Sequence, residues 1–137
     1  MKYFNLFFIS ITLLITTPLA YAGKVSPQTV EGATTIDTAA AKKLFDDGVI
    51  FIDVRKDKDW EAGRIPDAVH IELKKVLSAE TLGKEVKKDE PVVFYCNGAG
   101  CMRSSKASAK AVSWGFTKVH YYRLGFPAWK ATGYPTE

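Results

Sequence analysis

Apolar positions along this chain fall into short unbroken runs, separated by segments with helical spacing. Val49–Val54 (VIFIDV) and Pro91–Cys96 (PVVFYC) are continuous apolar runs of the kind that forms buried parallel strands. Thr34–Ile36, Ala68–Ile71 and Val119–Tyr122 read as shorter strands. A helix is expected between the first two strands: Asp37 or Thr38 caps it, Ala39, Ala40 and Ala41 carry it to Phe45, and Gly48 ends it. Asp57–Ala62 suits one helical turn stopped by Gly63, and Val76, Leu77, Leu82 and Val86 have the spacing of a helix over Val76–Val86. Ser104–Trp114 predicts a small-residue helix ended by Gly115, and Pro127–Thr132 a last helix before Gly133. Strands thus alternate with helices, which predicts an α/β fold with a mostly parallel sheet of about five strands, flanked by helices on both faces. Such sheets bind ligands at the carboxyl ends of their strands, and Cys96 closes the most apolar one.

The start of the chain follows a different logic. Lys2 precedes an apolar run over Leu6–Ile15, and Ala20-Tyr21-Ala22 has the small-x-small form of a cleavage site. The run falls short of the ~20 apolar residues that a membrane span needs. Residues 1–22 are therefore expected to be a signal peptide, which makes the mature protein periplasmic or secreted, with no stable membrane anchor. Residues 23–33 are polar and read as a flexible N-terminal arm, leaving 34–137 as the folded domain. The formal net charge is +4, and the lysines are scattered; Lys74-Lys75 and Lys87-Lys88 are pairs, not the clustered basic footprint of a nucleic-acid binder.

The chain has two cysteines, Cys96 and Cys101, too close together to clamp a scaffold. They bracket the loop Cys96-Asn97-Gly98-Ala99-Gly100-Cys101-Met102-Arg103-Ser104. A cysteine is nucleophilic as the thiolate, so a reactive one needs stabilised negative charge. Three features provide for it here. The helix starting near Ser104 aims its free N–H groups at the loop. Gly98 and Gly100 can take positive φ, so that N–H groups from Asn97 to Met102 turn inward as an anion nest. Arg103 adds a fixed charge and a planar donor fork. A cradle of this kind stabilises a thiolate, a persulfide or an anionic donor such as thiosulfate. A buried structural cysteine on an ordinary glycine turn is the plainer alternative. His70 and His120 are remote in sequence and complete no metal site with the cysteines.

Three segments carry a family resemblance. Ile52-Asp53-Val54-Arg55, followed by Trp60-Glu61-Ala62-Gly63-Arg64-Ile65-Pro66-Asp67-Ala68, resembles the first signature of the single-domain rhodaneses, the sulfurtransferase family. Val92–Cys96 with the loop and Arg103-Ser104 resembles their catalytic segment, and Gly125-Phe126-Pro127-Ala128-Trp129 with Gly133-Tyr134-Pro135 their closing one. The resemblance implies a rhodanese-like fold and a Cys96 nucleophile that takes sulfane sulfur from a small anionic donor, holds it as a persulfide, and passes it to a thiol or cyanide. It implies anion binding by Asn97, Gly98, Ala99, Gly100, Met102, Arg103 and Ser104, and no cofactor or metal. The chain departs from the pattern in places. Six residues lie between Cys96 and Arg103, two more than is usual, and the extra length holds Cys101, as in some exported relatives. Arg64 replaces a histidine, Asp67 a glycine, and Leu124 one glycine of a pair.

Cys101 has three readings: a resolving thiol for an oxidised Cys96, one half of a local disulfide, or a small packed residue. Asp53 and Arg55 are expected as a buried ion pair supporting the loop. His70 and His120 read as satisfied fold residues, Trp60, Trp114 and Trp129 as packing, and Tyr121-Tyr122 as ordinary strand residues able to line the site mouth. Two other functions compete with sulfur transfer: a thiol–disulfide redox module on Cys96/Cys101, and a non-catalytic binding domain that docks an anion or a partner such as a periplasmic protein.

Overall fold

The computed structural model describes residues 25–137; the segment read as a signal peptide lies outside them. The elements in chain order are β1 (Thr34–Thr35), α1 (Thr38–Asp46), β2 (Ile50–Asp53), α2 (Asp57–Ala62), β3 (Val69–His70), α3 (Ala79–Glu85), β4 (Pro91–Tyr95), α4 (Arg103–Ser113), β5 (Lys118–Tyr122) and α5 (Gly125–Ala131). The strands form one sheet in the order β1-β5-β4-β2-β3, and every neighbouring pair is parallel.

The period-two pleat sorts the strand residues onto two cores. Ile52, Val54, Val92, Phe94 and Val119 face one side, where Leu82, Val86, Ala107 and Ala111 of the α3 and α4 regions cover them. Phe51, Val93, Tyr95 and Tyr122 face the other, against Ala41 of α1, Trp129 of α5 and Ile65. Burying apolar faces on both sides of the sheet is what drives the chain together. Cys96 belongs to the first side and is fully buried, so the same pleat that builds the core aims it at α4.

Several element ends differ from the sequence expectation. Asp37 caps α1, its carboxylate accepting from the Ala40 N–H at 2.8 Å. The helix expected over Val76–Val86 starts only at Ala79, because Ser78 and Thr81 form a capping box that fixes the start there. Val76 is left outside and exposed. Cys96 lies one residue beyond β4 and is the first residue of the loop. Asp67, where the family resemblance calls for glycine, has φ of 60°. The left-handed requirement is therefore real, and aspartate is among the few side chains that tolerate it.

Candidate active site

The loop between β4 and α4 is held from four directions. From inside the sheet, Asp53 and Arg55 form the expected buried pair: Arg55 donates through Nε at 3.0 Å and through its terminal nitrogen at 2.7 Å to the Asp53 carboxylate. Burial works against the guanidinium charge, but the hydrogen bond and charge of Asp53 outweigh it and raise the Arg55 pKa. Arg55 also donates to the Asn97 side-chain oxygen at 3.3 Å and to the Gly63 carbonyl at 2.7 Å. The Asn97 amide in turn donates to Asp59 at 3.2 Å, and the Phe126 ring lies 4.6 Å from the guanidinium carbon. Tyr95 lies beside the pair; its fully buried hydroxyl accepts from the Ile65 N–H, and burial, then the charge of Asp53, raise its pKa.

From α5, the Phe126 N–H donates to the Cys96 carbonyl at 2.9 Å. Gly125, with φ of 63°, packs so closely on that carbonyl that a Cβ there would collide with it. Leu124, where the family resemblance calls for glycine, has φ of −70°, which any residue adopts.

From the N-terminal arm comes a contact that sequence reasoning missed. Ser26 is buried, and both its N–H (2.7 Å) and its hydroxyl (2.8 Å) donate to the Ala99 carbonyl. Arg123 donates to the Ser26 carbonyl at 3.0 Å, and the Tyr121 hydroxyl to that of Pro27 at 2.9 Å. The arm is therefore docked at Ser26, and Tyr121 and Tyr122 are buried supports, not lining of a mouth.

The fourth hold is covalent: Cys96 and Cys101 form a disulfide, with Cα atoms 6.4 Å apart. The turn within it is closed by the Cys101 N–H donating to the Gly98 carbonyl at 2.9 Å. Gly98 has φ of 103°, whereas Gly100 stays outside the left-handed region, so one of the two loop glycines uses its conformational freedom. Among the described residues, the N–H groups of Asn97, Gly98, Ala99 and Gly100 meet no protein acceptor. Met102 occupies the N-cap of α4 without a side-chain cap, and the buried Ser104 hydroxyl has no partner among the described residues. The loop and helix start thus retain donors for an anion.

Arg103 points elsewhere than the loop. Its terminal nitrogen donates to the Val54 carbonyl at 3.1 Å and pairs with Glu72, a buried carboxylate that sequence reasoning missed. The other Glu72 oxygen accepts from the N–H groups of Lys74 and Lys75 at 2.8 and 2.7 Å. Burial alone would raise the Glu72 pKa, but Arg103 and these N–H groups lower it. Arg103 borders an open cavity of about 410 Å³ whose lining mixes Lys56, Lys58, Lys74 and Lys75 with the carboxylates of Asp57 and Glu72. The histidines part company. His70 bonds the Arg55 carbonyl through Nε2 at 3.0 Å and stacks on Trp60, whereas the buried Nδ1 of His120 is unpartnered among the described residues and burial lowers its pKa.

Residues 37–132 match the rhodanese-like domain family. The chain belongs to that family. This rhodanese-like protein is 33% identical over 97 residues to the thiosulfate sulfurtransferase GlpE of Pseudomonas syringae, a match covering 71% of this chain and 86% of that one. It is 27% identical over 120 residues to the mitochondrial protein HIGH ARSENIC CONTENT 1 of Arabidopsis thaliana, covering 81% of this chain and 70% of that one. Its fold matches a solved rhodanese-like domain from Anabaena with a TM-score of 0.65 and 25% identity, over 75% of this chain and 77% of that one.

Proposed function

We propose that this rhodanese-like protein is a sulfurtransferase working through a persulfide on Cys96. The observation that carries the reading is the seat of Cys96: one residue past the central strand, its carbonyl pinned by α5, the N–H groups of Asn97 to Gly100 without an acceptor among the described residues, and the uncapped start of α4 close behind. In the reduced protein the Cys96 thiolate attacks the outer sulfur of a donor such as thiosulfate. The donor's S–S bond breaks, sulfite leaves with the electron pair, and the persulfide anion remains among the loop donors. A thiolate or cyanide then attacks the terminal sulfur and restores the Cys96 thiolate. Asn97, Gly98, Ala99, Gly100, Met102 and Ser104 are the proposed anion contacts, with Asp53 and Arg55 as their support.

The disulfide supports a second reading, a thiol–disulfide module on Cys96 and Cys101. Both readings suit an exported protein, cleaved after Ala22, whose acceptor is a small thiol or a thiol on a periplasmic protein, since disulfides persist in oxidising compartments. The test is the intact mass of the reduced protein after incubation with thiosulfate. One sulfur added to wild type and none to Cys96→Ala supports sulfur transfer; no addition, or equal addition to both, overturns it. N-terminal sequencing of the exported chain tests the cleavage.

A further inference from the structure

The two sulfurs of the disulfide are not equivalent. Cys96 is fully buried, packed in the core with Phe94 and Ala107 and held by its carbonyl to Phe126. Cys101 is only partly buried, at the edge of that cluster, on a turn closed by its own N–H. A thiolate opening a disulfide must reach one sulfur in line with the S–S bond and expel the other. The core blocks Cys96 and leaves Cys101 accessible.

We propose that Cys101 is the entry sulfur of this protein: an incoming thiol forms its mixed disulfide with Cys101 and frees Cys96 as the thiolate. In the first step the attacking thiolate bonds to Cys101 Sγ, and the electron pair of the Cys96–Cys101 bond leaves on Cys96. In the second, another thiol attacks the reductant's own sulfur in the mixed disulfide. The Cys101 thiolate departs and takes a proton. Two thiols are oxidised to one external disulfide, and the protein gains two electrons. Cys101 is thus a redox handle, and Cys96 is released from the core side with its loop already held at Ala99, Asn97 and its own carbonyl. The inference rests on the disulfide and the burial of its two halves, and stands apart from the sulfur-transfer reading.

The test uses the oxidised wild-type chain, so no variant has to fold. Reduced glutathione is added, the reaction is quenched within its first turnover by acid and N-ethylmaleimide, and the tryptic peptide 89–103, which carries both cysteines, is fragmented in a mass spectrometer. The expected result is glutathione on Cys101 and N-ethylmaleimide on Cys96, exceeding the reverse arrangement by more than about ten-fold, as unequal access to the two sulfurs requires. A majority of glutathione on Cys96, or an even split at the earliest time, overturns the proposal. Glutathione on Cys101 in a protein that takes no sulfur from thiosulfate would sink the sulfurtransferase reading and leave this one standing.

Discussion

Arg55 spans from its buried pair with Asp53 to the side chain of Asn97, the residue that follows Cys96, so a single guanidinium joins the core charge to the candidate nucleophile's loop. Arg55→Lys keeps the charge but loses the fork that serves Asp53, Gly63 and Asn97 together. The expected outcome is a loss of about 3 kcal/mol of stability, the scale for disturbing a buried pair. Sulfur uptake by Cys96 should fall as well; denaturant melts and persulfide mass measurements check the two effects.

Gly125→Ala places a methyl group against the Cys96 carbonyl and a side chain at positive φ. The backbone conformation alone costs about 1–2 kcal/mol, and the collision adds to it. The loop must move, so sulfur loading on Cys96 should drop by more than the melting temperature suggests. Normal loading with normal stability would contradict the close packing.

Glu72 sets an acid limit. Its folded pKa lies below the ordinary 4.5, so the stability from its pairing with Arg103 and the two N–H groups is fully present above pH 4.5 and lost as pH falls through the lower folded value. Glu72→Gln should be less stable than wild type at neutral pH, and the gap should close as the pH drops below 4.5. Urea midpoints across that range measure it.

Ser26→Ala removes the hydroxyl bond to Ala99 and leaves the backbone one. It should cost about 1 kcal/mol, the net worth of one such hydrogen bond. Hydrogen exchange at the Cys101 amide, which is bonded to the Gly98 carbonyl, should speed up, while exchange in β2, on the far side of β4 from β5, stays unchanged.

Asp67→Ala should lower stability by about 1 kcal/mol, because alanine tolerates the left-handed region less well than aspartate, whereas Asp67→Gly should not; urea midpoints of the two variants check it.

Most of the fold was legible because the signals were local. The runs around Phe51 and Phe94 marked the two central strands, Asp37 marked the start of α1, and strand–helix alternation gave the parallel order its sense. Val76 misled because its helical spacing was followed by a cap built from Ser78 and Thr81, where the usual glutamate signal is missing. The site was half legible. The place of Cys96 at the end of β4 and the Asp53–Arg55 pair followed from position, but Arg103 was expected at the loop and instead meets Glu72, 31 residues earlier. No periodicity announces a buried charge whose partner lies on another loop. The seat of Ser26 was equally hidden, because a polar arm reads the same whether docked or solvated.

That seat also bears on how the site comes into being. The bonds from Ser26 to Ala99 and from Arg123 to Ser26 join residues 73 and 97 positions apart. Such closures are entropically expensive and slow compared with local turns. The pairing of β1 with β5 is a closure of the same kind, so the loop's hold at Ala99 is complete only when the two ends of the domain have met. A chain whose ends have not met holds both cysteines but lacks the bonds that fix the Ala99 carbonyl between them.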